Sequence, residues 1–190
     1  VGHGDEENQR TPRVIVSLRG ERGVAVAAGY DHSLVLTEAG TVLSFGYGHD
    51  GLLGHGDEEN QLTPKVIEAL RGERVVAVAA GDDHSLVLTE AGAVLSFGSG
   101  SHGRLGHGDE ENQLTPKVIE ALRGERVVAV SAGEMHSLVL TEAGAVLSFG
   151  FGGAGRLGHN NAESQHAPKV IAPDGVLPGH QSSPLGSRHG

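Results

Sequence analysis

Cysteine and tryptophan are absent from the 190-residue chain, and aromatic residues make up 3% of it. Without cysteine there is no disulfide framework, no thiolate metal site and no cysteine nucleophile. No apolar run approaches the ~18 residues of a membrane-spanning helix, and the first residues lack the basic and apolar regions of a signal peptide. We therefore expect an intracellular protein, cytoplasmic or nuclear, that has no membrane partner.

Basic residues are also scarce: 14 Lys and Arg are outnumbered by 24 Asp and Glu, which gives a formal net charge of -10 at pH 7. This balance argues against direct nucleic-acid binding and leaves a basic protein partner open. Because the first residue is not methionine, we expect the chain to be a segment of a longer protein. The 31 glycines, set among short apolar runs, predict a turn-rich all-β protein.

The chain repeats with a period of 52 residues. "HSLVLTEAG" begins at His32, His84 and His136, and Pro-(Lys/Arg)-Val-Ile begins at residues 12, 64, 116 and 168. Such self-similarity is typical of stacked repeat architectures. It divides the chain into units at about 3–54, 55–106 and 107–158 and a partial unit at 159–171. The remaining residues, 172–190, are rich in Pro, Gly and Ser and are expected to be a disordered tail.

One unit contains three strand-like runs, "VVAVAAG", "HSLVLTEAG" and "AVLSFG", joined by short glycine turns. The stretch "TPKVIEALRG" fits a helix with Thr63 as N-cap and fits equally well a strand "KVI" that begins at Pro64 and leads into a helical turn. A four-stranded blade needs an outer strand, which tolerates proline at its first residue, so we predict the strand. The inner strand should line a crowded axis, which suits its small alanines: Ala77, Ala79 and Ala80.

Several recurring motifs resemble those of the regulator of chromosome condensation repeat. They are the A-G-x-x-H-S step, the T-E-x-G turn, the F-G-x-G-x-x-G-x-L-G-x-G loop and the spaced proline, which recur in register over residues 1–171. The resemblance implies a β-propeller of about seven four-stranded antiparallel blades, of which this chain would supply about three and a half. Such an incomplete ring should expose sheet edges and self-associate. The family includes a guanine-nucleotide exchange factor for a small GTPase, an ultraviolet-B photoreceptor that depends on tryptophans, and giant ubiquitin ligases. Since this chain has no tryptophan, we expect no ultraviolet sensing.

Three motifs could suggest a ligand, and each also has a structural reading. The G-x-G-x-x-G at Gly98, Gly100 and Gly103 lacks the following helix of a dinucleotide site and occurs three times, so we interpret it as a turn. The repeated histidines lack metal-ligand spacing and are expected to tie a loop to a neighbouring strand. "GDEEN" at residues 56–60 lacks the oxygen spacing of a calcium loop. We therefore predict no catalytic, cofactor or metal site.

Residues 55–106 and 107–158 differ at six positions, and five of these lie in two loops. In a meander, the loops after the first and third strands lie at the same end, so these differences should share one rim. Drift in surface loops is the alternative explanation, but it should also have changed the opposite end. We therefore predict a partner-binding rim with an acidic and aromatic surface. With the first unit included, the rim comprises Tyr30, Asp31, Tyr47, His49, Asp50, Asp82, Asp83, Ser99, Ser101, His102, Glu134, Met135 and Phe151.

The predicted function is a non-catalytic protein-protein interaction module within a larger regulatory protein. Rigid blades would display the rim loops, and an acidic rim would favour a basic protein partner. Two alternatives follow from the family resemblance: a guanine-nucleotide exchange factor that acts on a small GTPase, and the substrate receptor of a large ubiquitin ligase.

Overall fold

The valine- and alanine-rich runs form strands, and the glycines between them form the turns. The computed structural model describes residues 2–172, so the predicted disordered tail lies outside the described residues except for Ala172. The strands make three four-stranded antiparallel meanders, or blades, which confirms the all-β propeller prediction. The first blade contains β1 (Gly23–Ala28), β2 (His32–Thr37), β3 (Val42–Gly46) and β4 (Gln61–Val66). The second contains β5 (Val75–Ala80), β6 (His84–Thr89), β7 (Val94–Gly98) and β8 (Gln113–Val118). The third contains β9 (Val127–Ala132), β10 (His136–Thr141), β11 (Val146–Gly150) and β12 (Gln165–Val170).

The outer strand is present as predicted, but it begins earlier than the sequence suggested. β4 starts at Gln61, so Pro64 lies inside the strand and not at its first residue. The register changes between the pairs Ser44–Lys65 and Gly46–Gln61. Proline is tolerated there because it has no N–H to pair and because the ladder is already interrupted. A 3-10 turn at Glu68–Leu70 follows, in agreement with the predicted helical turn.

The boundaries of the blades differ from the boundaries of the sequence repeats. Each blade takes its outer strand from the following sequence unit, so the partial unit at 159–171 supplies β12 and completes the third blade. The described residues therefore form three complete blades. The first copy of the proline element, residues 11–15, forms no strand, because no strand that could pair with it precedes it within the described residues.

The core lies between blades and not within them. The inner strand β5 contacts both β1 and β9, as predicted for strands that line the axis. One apolar cluster joins Leu34, Leu36 and Val42 of the first blade to Val87 and Phe97 of the second. The equivalent cluster joins the second blade to the third. Since each sheet buries its faces only against its neighbours, the blades are stable as a stack.

The third blade exposes an apolar face at the end of this stack, and the exposed sheet edges expected from the sequence stay a prediction. Leu36 and Leu88 are 2% exposed, whereas the equivalent Leu140 of the third blade is 36% exposed. Blades stack face to face, so an uncovered terminal blade presents its apolar face to solvent. Self-association through these ends stays a prediction. No helix within residues 2–172 has the length and apolarity needed to cross a membrane.

Candidate functional site: the glycine-loop rim

Two sets of loops meet at one end of the blades, and we call this end the glycine-loop rim. It consists of the turns at residues 29–31, 81–83 and 133–135 and the loops at residues 46–60, 98–112 and 150–164. Backbone hydrogen bonds join the two sets: the amide of Tyr47 donates to the carbonyl of Asp31 over 2.9 Å, and Ser99 does the same to Asp83 over 2.8 Å. The two variable loops of each unit are thus brought together, as the meander predicted.

The glycine motif uses its backbone amides within its own loop. The amide of Gly100 donates to Oδ1 of Asn112 over 3.0 Å, and the amide of Gly103 donates to the carbonyl of Gly100 over 2.9 Å. A Cβ on Gly100 would collide with the carbonyl oxygen of Glu111. These contacts support the interpretation of G-x-G-x-x-G as a structural turn, because a phosphate cradle needs amides that are free to donate.

The histidines of the A-G-x-x-H-S step join adjacent blades. Nε2 of His32 lies 2.8 Å from Oγ of Ser85, and His84 makes the same contact with Ser137. The hydroxyl of Ser85 also donates to the carbonyl of Leu52 over 3.1 Å, so it accepts a hydrogen bond from the Nε2–H of the neutral imidazole. Burial lowers the pKa of His32 to about 4 and that of His84 to about 3. The predicted tie between elements is present, and it crosses the seam between blades.

A second set of histidines closes each glycine loop. Nε2 of His55 lies 3.0 Å from Oγ of Ser44, and that hydroxyl donates to the carbonyl of Leu53 over 2.7 Å. His107 and Ser96 repeat the contact at 3.0 Å. Across the described part of the chain, no group of three or more His, Cys, Asp or Glu is arranged to hold a metal ion.

Some predicted rim residues contact the neighbouring blade at the first seam. Nε2 of His49 lies 3.4 Å from Oδ1 of Asp83, and Oδ1 of Asp50 accepts a hydrogen bond from Asn112 over 2.8 Å. Arg104 approaches the other carboxylate oxygen of Asp83 at 3.4 Å. His49, Asp50 and Asp83 therefore hold the first two blades together, whatever else they bind.

The second seam uses different chemistry, and only His102 holds the repeat position of a first-seam contact residue, Asp50. The ring of His102 packs at 4.8 Å from that of Phe151, and the guanidinium of Arg156 lies 4.8 Å above the same ring. Arg104 reaches the carbonyl of Glu134 over 3.5 Å. Sequence comparison between units missed Arg104, although the signal was present: the equivalent residue of the first unit is Leu52.

The remaining rim residues face solvent or the propeller axis. Tyr30 is 77% exposed and Tyr47 51% exposed, and Asp31, Ser101 and Glu134 are also exposed. Asp82 and Met135 are half-buried, and Ser99 is buried beside Ser101. Burial, followed by the charges of Glu134 and Asp83, raises the pKa of Asp82. Carboxylates from adjacent blades thus act on one another at this end.

Comparison with known proteins places these features in a family. Residues 1–36, 39–88 and 91–140 match the family model of the Regulator of chromosome condensation (RCC1) repeat. The human E3 ubiquitin-protein ligase HERC2 is 43% identical over 90% of this chain and 4% of its own length. The Arabidopsis thaliana ultraviolet-B receptor UVR8 is 38% identical over 92% of this chain and 40% of its own length.

Solved structures show the same fold. Human WBSCR16 superposes with a TM-score of 0.73 at 30% identity, over 81% of this chain and 39% of that one. Saccharomyces cerevisiae Prp20p superposes with a TM-score of 0.73 at 23% identity, over 80% of this chain and 39% of that one. The chain spans less than half the length of each of these four proteins. On its repeats, its blades and these matches, the chain belongs to the RCC1 repeat family.

Proposed function

We propose that the segment is a non-catalytic protein-interaction module whose glycine-loop rim binds a basic segment of a partner protein. The observation that carries this proposal is the convergence of carboxylates from successive blades. Asp82 is half-buried, and Glu134 and Asp83 are close enough to raise its pKa. A cationic side chain placed among these groups would relieve their mutual repulsion.

One repeat position supports a binding role more directly than the others. Tyr30, Asp82 and Glu134 occupy the same place in three successive units and are all different. The seam contacts at this position involve only the Glu134 carbonyl, so packing does not account for the change of side chain. A position that is exposed or half-buried and differs in every blade is suited to distinguishing partners.

The test is a binding titration with a labelled peptide of about 12 residues rich in lysine and arginine, at low salt, where surface charge acts most strongly. The rim pair Asp82→Asn and Glu134→Gln removes two charges. The matched control pair, Glu73→Gln and Glu125→Gln, removes two charges from exposed residues in the loops at the opposite end. We expect the rim pair to weaken binding about tenfold and the control pair less than about twofold. Equal weakening by both pairs would show a net-charge effect and overturn the proposal.

A second candidate function is favoured by the similarity to HERC2, which is 43% identical over 90% of this chain. In this case the module would be the substrate receptor of a ubiquitin ligase, and the basic segment recognised by the rim would belong to the substrate. The full coding sequence tests this directly, because a ligase domain on the same chain supports it and an unrelated neighbouring domain overturns it. A nucleotide-release assay of the complete protein against a panel of GTPases tests the exchange-factor alternative, and unchanged release rates would exclude it for that panel.

A further inference from the structure

We infer that the glycine-loop rim has a site for one arginine side chain of the partner, beside Leu52 at the seam between the first and second blades. The inference rests on the proposed function and adds to it which basic residue is recognised and where it binds. The chain itself supplies the template, because the repeat position of Leu52 is occupied by Arg104 in the second blade and by Arg156 in the third. The arginine site comprises Asp31, Tyr47, Leu52 and Asp82.

The second blade shows how oxygen atoms of two blades hold this arginine. Nη1 of Arg104 lies 3.4 Å from Oδ2 of Asp83 in the turn of its own blade and 3.5 Å from the carbonyl oxygen of Glu134 across the seam. One repeat of 52 residues earlier, the same two acceptors are the carboxylate of Asp31 and the carbonyl of Asp82. Within residues 2–172, neither of these groups receives a hydrogen bond. The first seam therefore has the acceptors of the second seam but not the arginine.

The third blade shows that an aromatic ring can hold the same arginine. The guanidinium of Arg156 lies 4.8 Å from the centre of the Phe151 ring, which is a cation-π distance. The equivalent of Phe151 is Ser99 in the second blade and Tyr47 in the first. The first blade thus combines a carboxylate, as in the second blade, with an aromatic ring, as in the third, and Leu52 offers a cation to neither.

The carboxylate of the arginine site is available whether or not another blade precedes the first one. Asp83 uses different oxygens for the preceding blade and for its own loop. Its Oδ1 lies 3.4 Å from Nε2 of His49 in the preceding blade, and its Oδ2 lies 3.4 Å from Nη1 of Arg104. A blade before the first would therefore contact one oxygen of Asp31 and leave the other for the partner.

The same holds for the aromatic ring of the site. Phe151 meets His102 of the preceding blade, with 4.8 Å between the ring centres, and also lies under Arg156 of its own loop. One ring thus serves both contacts. A preceding blade that met Tyr47 as His102 meets Phe151 would leave the side toward its own loop for the partner.

The surroundings of the site favour arginine over lysine. Leu52 is fully buried, and its Cδ2 lies 3.2 Å from where a Cβ on Gly98 of the second blade would be, so it packs within the seam and gives the site an apolar base. Burial and neighbouring carboxylates raise the pKa of the half-buried Asp82, so a cation beside it is stabilised. A guanidinium is planar and can meet oxygens on two blades while its flat face lies against a ring, whereas an ammonium group is a compact point charge.

The experiment titrates the full chain into two labelled peptides of about 12 residues that differ only in carrying arginines or lysines, and we expect the arginine peptide to bind about fivefold tighter. Leu52→Arg fills the site from within the chain, and the fold should accept it because the second and third blades have arginine at this position. It should weaken binding of the arginine peptide about tenfold and remove its advantage over the lysine peptide. The control is Glu73→Gln, which changes the net charge by the same amount at an exposed residue of the opposite end and should weaken binding less than about twofold.

Tyr47→Ser tests the ring separately from the charge. The second blade has serine at this position, so the fold should accept the change. We expect it to weaken binding of the arginine peptide about threefold and to reduce the preference for arginine. Circular dichroism checks that each variant is folded, and Asp31→Asn combined with Tyr47→Ser replaces Leu52→Arg if the latter is not.

The outcomes separate the arginine site from the wider proposal. If the rim pair Asp82→Asn and Glu134→Gln weakens binding but Leu52→Arg does not, the rim binds basic segments and the arginine site is overturned. Equal binding of the two peptides by the unmodified chain, or equal weakening by Leu52→Arg and Glu73→Gln, overturns the site as well. Failure of both peptides to bind the unmodified chain would overturn the site and the proposed function together.

Discussion

The imidazole Nε2 of His84 lies 2.8 Å from the hydroxyl of Ser137 in the next blade, and both groups are fully buried. Ser137 also donates to the carbonyl of Arg104 over 2.8 Å. Ser137 of the third blade therefore satisfies two groups of the second blade, the His84 N–H and a loop carbonyl. Since the apolar contacts between blades carry no direction, this hydrogen-bonded set fixes how one blade is aligned on the next.

Replacing Ser137 by alanine should destabilise the chain by about 1–3 kcal/mol, because it leaves the His84 N–H and the Arg104 carbonyl buried without a partner. The free energy of unfolding from urea titration measures this. Ser33→Ala is the matched control, since Ser33 holds the same place in the first blade but its hydroxyl makes no hydrogen bond within the described residues. Its cost should be at most about 0.5 kcal/mol, provided that the chains are compared at concentrations where they are monomeric. Equal costs at the two positions would contradict the role given to the pair.

The buried histidines should make stability fall as the solution becomes acidic. An unfolded histidine has a pKa near 6.5, while in the folded chain the pKa of His32 is about 4 and that of His84 about 3. Below pH 6.5 the unfolded chain binds more protons than the folded one. The neutral histidines therefore contribute fully to the free energy of unfolding above that pH, and their contribution is lost as the pH falls toward 4 for His32 and 3 for His84. Between pH 6.5 and 5 each histidine should lower the free energy of unfolding by about 2 kcal/mol.

Urea unfolding at a series of pH values checks this dependence. His84→Gln keeps an amide N–H that can reach Ser137 but removes the titrating group, so its stability should fall less steeply below pH 6.5. If His84→Gln showed the unmodified slope, the buried imidazole would not be its source.

Local patterns were enough to predict the repeat, the strands and the fold. The alternating residues of "HSLVLTEAG" predict strands, and the 52-residue period predicts sheets that stack on one another. Both features can be recognised in the sequence without any knowledge of three-dimensional contacts. The position of Pro64 inside β4 could not be predicted, since it depends on a register change against Ser44 and Gly46. Likewise, nothing in the sequence shows that His49 meets Asp83, 34 residues away, across a seam.

The same limit applies to the predicted rim. The sequence places the variable residues at one end, and the structure does so too. Sequence differences alone do not separate residues that vary because they touch a changed neighbour, such as His102 against Phe151, from those that face solvent, such as Tyr30. Only three-dimensional contacts make that distinction. The rim residues that these contacts leave available to a partner are the carboxylates of Asp82 and Glu134 and the exposed tyrosines.

The A-G-x-x-H step requires glycine because a Cβ at this position would collide with neighbouring atoms, and not because of its backbone angles. A Cβ on Gly81 would collide with the carbonyl oxygen of Gly133 and with the ring of His84, and Gly81 has no positive φ. Gly133 would meet only the ring of its own His136. Gly81→Ala should therefore destabilise the chain by several kcal/mol, and Gly133→Ala by less, because a side chain can move more easily than a backbone carbonyl. Thermal unfolding compares the two, and an equal or larger effect at Gly133 would contradict the steric explanation.

Arg104 is a cation that acts on the half-buried carboxylate of Asp82 at the rim. Burial and the charges of Glu134 and Asp83 raise the pKa of Asp82, while Arg104 acts in the opposite direction. Arg104→Leu should therefore raise the pKa of Asp82 further, and the fold should accept it, because the equivalent Leu52 is fully buried in the first blade. Carbon-13 NMR titration of the Asp82 carboxyl measures the shift. Arg156→Leu, which makes the same change in the third blade, is the control and should leave the Asp82 titration as it is. A lower or unchanged Asp82 pKa in Arg104→Leu would mean that this arginine does not offset the negative charge at the rim.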